Sequence, residues 1–121
     1  MSPLADKRIL LVEDEFIVAA MAEDMLTELG ATVVGPARTL AKALDLAQAS
    51  ALDAAVLDVN MDGHRIDPVA EALRGRGIPV VFATGYGASA FGLAPDAPVL
   101  DKPYTQDELA DALARALQAA H

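Results

Sequence analysis

Residues 8–15 read Arg-Ile-Leu-Leu-Val-Glu-Asp-Glu, a short apolar run that ends in three acidic residues. An unbroken apolar run of this length is typical of a strand that is buried on both faces of a parallel sheet. The segment that follows is predicted to be a helix from about residue 15 to residue 29, where Gly30 ends it. This strand and helix form a unit whose pattern continues along the chain.

Four further short runs, mostly of β-branched and other apolar residues, are predicted to be strands. They cover residues 32–34, 54–57, 79–83 and 99–100, and Gly35-Pro36 is expected to end the first of them. Strands that alternate with helices in this way imply a parallel sheet covered by helices on both faces. We therefore expect residues 1–121 to form a single α/β domain, a three-layer sandwich with no separate output domain.

The helix starts carry recognisable capping residues. Thr39 is expected to cap the second helix by accepting a backbone N–H. Asp67, followed by Pro68 at the first helical position, is expected to cap the third. Residues 105–108, Thr-Gln-Asp-Glu, fit a capping box at the start of the last helix.

Composition excludes several classes of function. The chain has 121 residues and no cysteine, and its 18 Asp and Glu against 9 Lys and Arg give a net charge of −9. The missing cysteines exclude disulfides and thiolate zinc sites and favour a cytoplasmic protein. The acidic balance opposes nucleic-acid binding. The longest apolar run, residues 16–22, is far shorter than the ~20 residues that span a bilayer, so membrane insertion is not expected.

Charged and polar side chains follow four of the five predicted strands. The first strand is followed by Glu13, Asp14 and Glu15, the third ends at Asp58, the fourth is followed by Thr84, and the fifth by Asp101 and Lys102. The carboxyl ends of parallel strands meet at one edge of the sheet, which is where such folds bind ligands. Carboxylates crowded at this edge repel one another, and a hard cation with oxygen ligands relieves the repulsion. The sequence therefore predicts a Mg²⁺ site.

Each of these groups taken singly has an ordinary explanation. Acidic residues are common at a strand-to-helix junction, where they favour the helix N-terminus. Asp58 on its own fits a strand end that makes a turn, and Thr84 before Gly85 fits ordinary turn chemistry. The joint arrangement at four strand ends favours a functional site over these separate explanations.

Four segments carry a resemblance to a known family. They are residues 10–15, 56–60, 82–86 and 100–104, in this order along the chain. Together they resemble the receiver domain of bacterial two-component response regulators. The resemblance implies a flavodoxin-like, CheY-like (βα)5 fold with strand order 2-1-3-4-5. The Phe-Ala-Thr-Gly-Tyr sequence at residues 82–86 further resembles the receiver subgroup named for that motif, which is often found as stand-alone domains.

The resemblance implies a phosphoacceptor and a metal site. Asp58 would accept the phosphoryl group and also bind Mg²⁺. Asp14 would bind the metal directly, Glu13 would act through water, and the backbone carbonyl of Asn60 would complete the protein ligands.

The resemblance also implies groups that hold the phosphoryl group. Thr84 would donate a hydrogen bond to it, and Lys102 would pair with its charge. The Lys102-Pro103 peptide bond would be cis. A carboxylate can act as the nucleophile once cationic groups offset the charge of the phosphoryl oxygens.

Two positions depart from the family pattern. Val99 stands where most receivers carry a rotating aromatic side chain, and Asp62 stands where a proline is common. A valine is too short and too stiff to act as that aromatic switch. Residues 85–98 carry three glycines and two prolines, so any helix there is expected to be short. We expect the phosphoryl signal to leave the site through an order change in this segment.

The sequence thus favours a signalling module that takes phosphate from a histidine kinase or a phosphotransfer protein. Its output would be a protein contact, a phosphate relay or a phosphate sink, and its downstream partner is not specified. The alternative is a Mg²⁺-dependent phosphohydrolase or a toprim-like nuclease. A dehalogenase-type phosphatase carries Asp-x-Asp where this chain has Asp58-Val59-Asn60, and a nuclease would need a basic surface. A flavin-binding module is a third hypothesis. It is disfavoured because acidic residues occupy the first strand-to-helix turn, where the flavin phosphate would need backbone amides.

Overall fold

The sheet is parallel and has the predicted strand order. The structure is a computed structural model that describes residues 4–61, 64–85 and 97–119. The strands in these ranges are β1 (Arg8–Val12), β2 (Thr32–Ala37), β3 (Ala54–Asp58), β4 (Asn60–Met61), β5 (His64–Arg65), β6 (Val80–Thr84) and β7 (Val99–Asp101). Five of them form one sheet in the order β2-β1-β3-β6-β7, with all neighbours parallel, while β4 and β5 pair with each other in antiparallel fashion. Counted along the sheet strands alone, this is the order 2-1-3-4-5, and the predicted flavodoxin-like α/β fold is confirmed.

Helices cover both faces of the sheet. The described helices are α1 (Phe16–Glu28), α2 (Leu40–Ala49), α3 (Asp67–Gly75) and α4 (Gln106–Ala119). One apolar core lies between the sheet and the pair α2 and α3, and the other lies between the sheet and the pair α1 and α4. Alternate residues of β1 enter the two cores: Ile9 and Leu11 join one, and Leu10 and Val12 the other. A strand buried on both faces explains why residues 9–12 are apolar without interruption.

Two of the three predicted caps are confirmed. Thr39 Oγ1 accepts a hydrogen bond from the Lys42 N–H at 3.2 Å. In the capping box, the Glu108 N–H donates to Thr105 Oγ1 at 3.1 Å, and the Thr105 N–H donates to Glu108 Oε1 at 2.9 Å. These bonds satisfy backbone donors that have no partner inside the helix.

The prediction that Asp67 caps α3 is wrong. The helix includes Asp67 as its first residue, and Ile66 occupies the capping position without a side-chain hydrogen bond. Arg65 accounts for the difference, because its Nε lies 3.1 Å from Asp67 Oδ1 and draws the carboxylate away from the helix N–H groups.

The predicted end of β2 is also wrong, and the difference matters for the site. The strand continues through Gly35-Pro36 to Ala37, with a register shift against β1 between Leu10 and Val12. The Gly35-Pro36 peptide bond is cis, and Gly35 has a φ of 105°. Beyond the irregularity, Ala37 pairs with Val12, and its carbonyl accepts the Glu13 N–H at 3.0 Å. Strand β2 therefore holds the backbone at the end of β1.

We expect Gly35→Ala to destabilise the protein by about 2–4 kcal/mol. An added Cβ would lie 2.7 Å from the Ala37 nitrogen and 2.9 Å from the Leu11 carbonyl oxygen, and the positive φ itself disfavours alanine. Gly75→Ala is the matched control, because an added Cβ there meets nothing within 4 Å. Denaturant unfolding of both variants tests this prediction, which a loss below about 1 kcal/mol for Gly35→Ala would contradict.

Candidate functional site

Strand register brings the predicted site residues to one edge of the sheet. Leu57 pairs with Val12, so Asp58 lies beside the start of the acidic segment that begins at Glu13. Asp58 pairs with Ala83, which places Thr84 one residue further along the neighbouring strand. Thr84 in turn pairs with Asp101, the residue before Lys102. The four strand ends therefore meet where the sequence predicts.

Lys102 lies at the centre of this edge. Its Nζ is 2.7 Å from Glu13 Oε1, 3.3 Å from Asp58 Oδ1 and 3.7 Å from Glu15 Oε1. Its backbone N–H donates to the Thr84 carbonyl oxygen at 2.9 Å. The Lys102-Pro103 peptide bond is cis, as the resemblance implies. One ammonium thus contacts carboxylates from two strand ends and from the turn after β1.

The acidic residues at this edge are held close together with little access to water. Glu13 is 2% exposed and Asp58 is 5% exposed, while Asp14 is partly buried. One carboxylate oxygen from each of these three residues lies within 4.8 Å of the others. Three carboxylates against one nearby ammonium leave the cluster with excess negative charge. Hard oxygen donors fit Mg²⁺, which binds directly through one or two carboxylates and retains water, so the ion need not contact all three.

Of the remaining residues singled out in the sequence, Asn60 and Val99 are described by the structure and others are not. Asn60 belongs to β4, so its backbone lies just past Asp58, opposite Arg65. Val99 begins β7, pairs with Phe82 and is partly exposed. Asp62 and Tyr86 of the Phe-Ala-Thr-Gly-Tyr motif lie outside the described residues. So do residues 86–96, which are most of the segment expected to change order.

The family comparison decides between the functional interpretations. The family model described as the response regulator receiver domain matches residues 9–114. The chain belongs to this receiver family. Receivers of this family accept a phosphoryl group, typically with Mg²⁺ at an acidic pocket, and they imply a phosphodonor such as a histidine kinase. They are signalling proteins rather than conventional enzymes, and the comparisons do not favour the phosphohydrolase or nuclease alternative.

Solved structures support the same assignment. This receiver is similar to SdrG from Sphingomonas melonis Fr1, with a TM-score of 0.83 and 49% identity, covering 97% of this chain and 99% of that one. It is also similar to a response regulator receiver protein from Sinorhizobium medicae WSM419, with a TM-score of 0.84 and 29% identity, covering 96% and 98% of the two chains.

A curated relative is the phyllosphere-induced regulator PhyR of Methylorubrum extorquens, which is 36% identical over 81 residues. The match covers 64% of this receiver and 30% of that relative, so the chain corresponds to less than a third of the relative's length. Among the described helices of the receiver, none is long and apolar enough to cross a membrane.

Two residues that the sequence did not assign to the site lie beside it. Glu15 contacts Lys102, although the sequence indicates only that it is one of the acids that follow the first strand. Tyr104 is almost buried, and burial together with the negative charge of Glu13 raises its pKa to about 12. Both residues line a cavity of about 280 Å³ between α1 and the segment after β7. The position of Tyr104 directly after Lys102-Pro103 was the available sequence signal.

Electrostatics at the site favour the protonated form of Asp58. Burial and then the negative charge of Glu13 raise the pKa of Asp58 to about 7, and Lys102 only partly offsets them. For Lys102, burial lowers the pKa, but the hydrogen bond to Glu13 and the charges of Asp58 and Glu13 together raise it above its ordinary value. The ammonium therefore stays charged, whereas Asp58 titrates near neutral pH.

The raised pKa of Asp58 predicts that the metal-free protein loses stability as the pH rises. The folded state holds the Asp58 proton up to about pH 7, while the unfolded chain releases it near the ordinary value of 3.8. Between these values the folded state binds more protons, so the free energy of unfolding falls with increasing pH. In EDTA, we expect Asp58→Asn to raise this free energy by on the order of 2–4 kcal/mol at about pH 8 and by much less at about pH 4.

Urea unfolding at the two pH values measures this difference. Asp111→Asn is the control, because it removes the same charge from an exposed carboxylate on α4 that pairs with Arg115 at 3.1 Å. The control is expected to change stability by less than about 1 kcal/mol at either pH. A gain for Asp58→Asn that is the same at both pH values would contradict the prediction.

Proposed function

We propose that Asp58 is the phosphoacceptor of this receiver and that Lys102 and Thr84 hold the phosphoryl group. The observation that most directly supports this proposal is that the Lys102 ammonium lies 3.3 Å from the buried Asp58 carboxylate at the carboxyl edge of the sheet. A cation in that position can offset charge on phosphoryl oxygens attached to Asp58. Phosphoryl transfer depends mainly on such positioning and charge neutralisation.

Each proposed residue has a separate task. An oxygen of the ionised Asp58 carboxylate attacks phosphorus, and the bond from phosphorus to the donor's leaving group breaks. Lys102 exchanges its contact with Asp58 for the new phosphoryl oxygens, while its backbone bond to Thr84 keeps these two residues side by side. Thr84 donates its hydroxyl proton in a hydrogen bond to the phosphoryl group.

The acidic cluster is proposed to hold Mg²⁺. Asp14 and Asp58 would bind it directly, Glu13 would act through water, and the backbone carbonyl of Asn60 would complete the protein ligands. When bound, the ion neutralises negative charge on the carboxylates and on the phosphoryl oxygens. The close approach of the three carboxylates supports this assignment, because their mutual repulsion is relieved by a cation.

We further propose that the chain is a receiver of the Phe-Ala-Thr-Gly-Tyr subgroup and that it signals by protein contact or phosphate relay. A histidine kinase or phosphotransfer protein would supply the phosphate. Val99 supports an output route without an aromatic switch, since its short side chain begins β7 at the edge of the sheet.

Asp58→Asn is expected to abolish phosphorylation. The wild-type protein should gain one acid-labile phosphoryl group when incubated with Mg²⁺ and a small-molecule phosphodonor, and intact mass spectrometry measures that gain. Asp53→Asn is the matched control, because Asp53 lies just before the other end of the same strand, where its carboxylate accepts the Arg8 N–H. Undiminished labelling of Asp58→Asn would refute the assignment.

Asp14→Ala is expected to weaken Mg²⁺ binding by at least about tenfold, because it removes one of the clustered carboxylates. Titration calorimetry or NMR titration of the amides near residues 13–15 measures the affinity. Asp24→Ala is the control, since it removes an exposed acid from the same strand–helix unit. Equal affinity in Asp14→Ala and Asp24→Ala would place the metal elsewhere.

A further inference from the structure

Glu15 is a further charged group at the mouth of the site. Its side chain is 64% exposed, yet Oε1 lies 3.7 Å from Lys102 Nζ. Its backbone N–H donates to Glu13 Oε2 at 3.3 Å, which fixes the start of α1 against the site. Glu15 thus combines a backbone anchored to a buried site residue with a carboxylate that faces water.

The position of Glu15 relative to Asp58 follows from their shared neighbour. Glu15 Oε1 and Asp58 Oδ1 contact the same Lys102 nitrogen at 3.7 and 3.3 Å, so they lie at most 7.0 Å apart. Asp58 is 5% exposed, whereas Glu15 is largely in solvent. A donor that approaches Asp58 from the solvent side of Lys102 therefore comes close to the Glu15 carboxylate.

The Glu15 carboxylate is not one of the clustered carboxylates of the proposed metal site. The acidic group that could hold a cation within the described ranges comprises Glu13, Asp14 and Asp58, and it does not include Glu15. Lys102 lies closer to Glu13 and Asp58 than to Glu15. A negative charge at the mouth therefore persists when the cluster itself is neutralised.

We propose that Glu15 is a specificity-determining residue. It favours phosphodonors that carry the phosphoryl group on a protonated nitrogen over donors that are acyl phosphates. This inference rests on the proposed function of Asp58 as phosphoacceptor. The Glu15 carboxylate attracts a positively charged N–H on the donor and repels a leaving carboxylate. A protonated phosphohistidine has the favoured chemistry, because its leaving group departs as neutral imidazole.

The two donor classes differ in the charge of the group that leaves phosphorus. With phosphoramidate, the bond from phosphorus to the protonated nitrogen breaks, the bond from phosphorus to the Asp58 oxygen forms, and ammonia leaves with the bonding electron pair. With acetyl phosphate, the bond from phosphorus to the acyl oxygen breaks and acetate leaves with its negative charge. Each leaving group gains one unit of negative charge as its bond breaks, but the leaving nitrogen is still partly positive in the transition state, whereas the leaving acyl oxygen is partly negative. Relative to the free donors, Glu15 therefore stabilises the first transition state and destabilises the second.

The test compares the initial rates of Asp58 phosphorylation by acetyl phosphate and by phosphoramidate, at equal concentration, fixed Mg²⁺ and neutral pH. We expect Glu15→Gln to raise the ratio of the acetyl phosphate rate to the phosphoramidate rate by about two- to fivefold, as for an exposed charge interaction. Glu15→Gln keeps the backbone N–H that bonds to Glu13. Glu15→Asp retains the charge and is expected to keep the ratio within about twofold of the wild-type value.

Glu28→Gln is the matched control. It removes the same charge from the exposed last residue of α1, about 20 Å along the helix axis from Glu15, and should leave the ratio unchanged. Raising the salt concentration from about 0.1 M to about 1 M should reduce the effect of Glu15→Gln, because the Debye length falls from about 10 Å to about 3 Å.

The outcomes separate the two proposals. Labelling of Asp58 by both donors with an unchanged ratio in Glu15→Gln overturns the role of Glu15 and leaves the phosphoacceptor intact. The same is true if Glu15→Asp changes the ratio as much as Glu15→Gln does, since shape rather than charge would then matter. If neither donor labels the wild-type protein, or if labelling persists in Asp58→Asn, the proposed function is overturned and this inference with it.

Discussion

The contact of the Lys102 ammonium with Glu13 and Asp58 is the interaction on which the site depends. Burying carboxylates costs several kcal/mol per group unless an opposite charge and hydrogen bonds compensate. Lys102, at 2.7 Å from Glu13 and 3.3 Å from Asp58, supplies that charge to both. Loss of the ammonium would leave two buried carboxylates facing each other. The same arrangement leaves net negative charge, which makes the edge receptive to a cation.

The framework around this contact is built to hold strand ends in place. The Glu13 backbone is fixed by the Ala37 carbonyl, and this bond exists because β2 resumes its pairing after the irregularity at Gly35. Asp58 ends a strand whose five residues are all buried, between neighbours on both sides. Close-packed apolar cores on both faces resist displacement of these ends. The positions of the charged groups at the carboxyl edge therefore depend on the packing of uncharged residues.

The sequence was sufficient for features that depend on local pattern, and insufficient for those that depend on a partner segment. The five strands of the parallel sheet follow from apolar patterning, although the short strands β4 and β5 do not. The grouping of Asp58, Thr84 and Lys102 follows because parallel strands share one carboxyl edge. The extension of β2 depends on β1, and the start of α3 depends on Arg65. The Glu15 contact depends on a lysine that is distant in sequence. No local pattern encodes such contacts.

Burial gives Asp58 two properties that work against each other. It shelters the carboxylate from water, which strengthens every charge interaction there. It also raises the pKa to about 7, so that about half of the metal-free molecules carry a neutral, non-nucleophilic Asp58 at neutral pH. Under the proposed mechanism, positive charge at the acidic cluster restores the ionised form, because an adjacent cation favours the carboxylate. Under this proposal, the need for a metal would follow from the burial of the proposed nucleophile as much as from the charge of the incoming phosphoryl group.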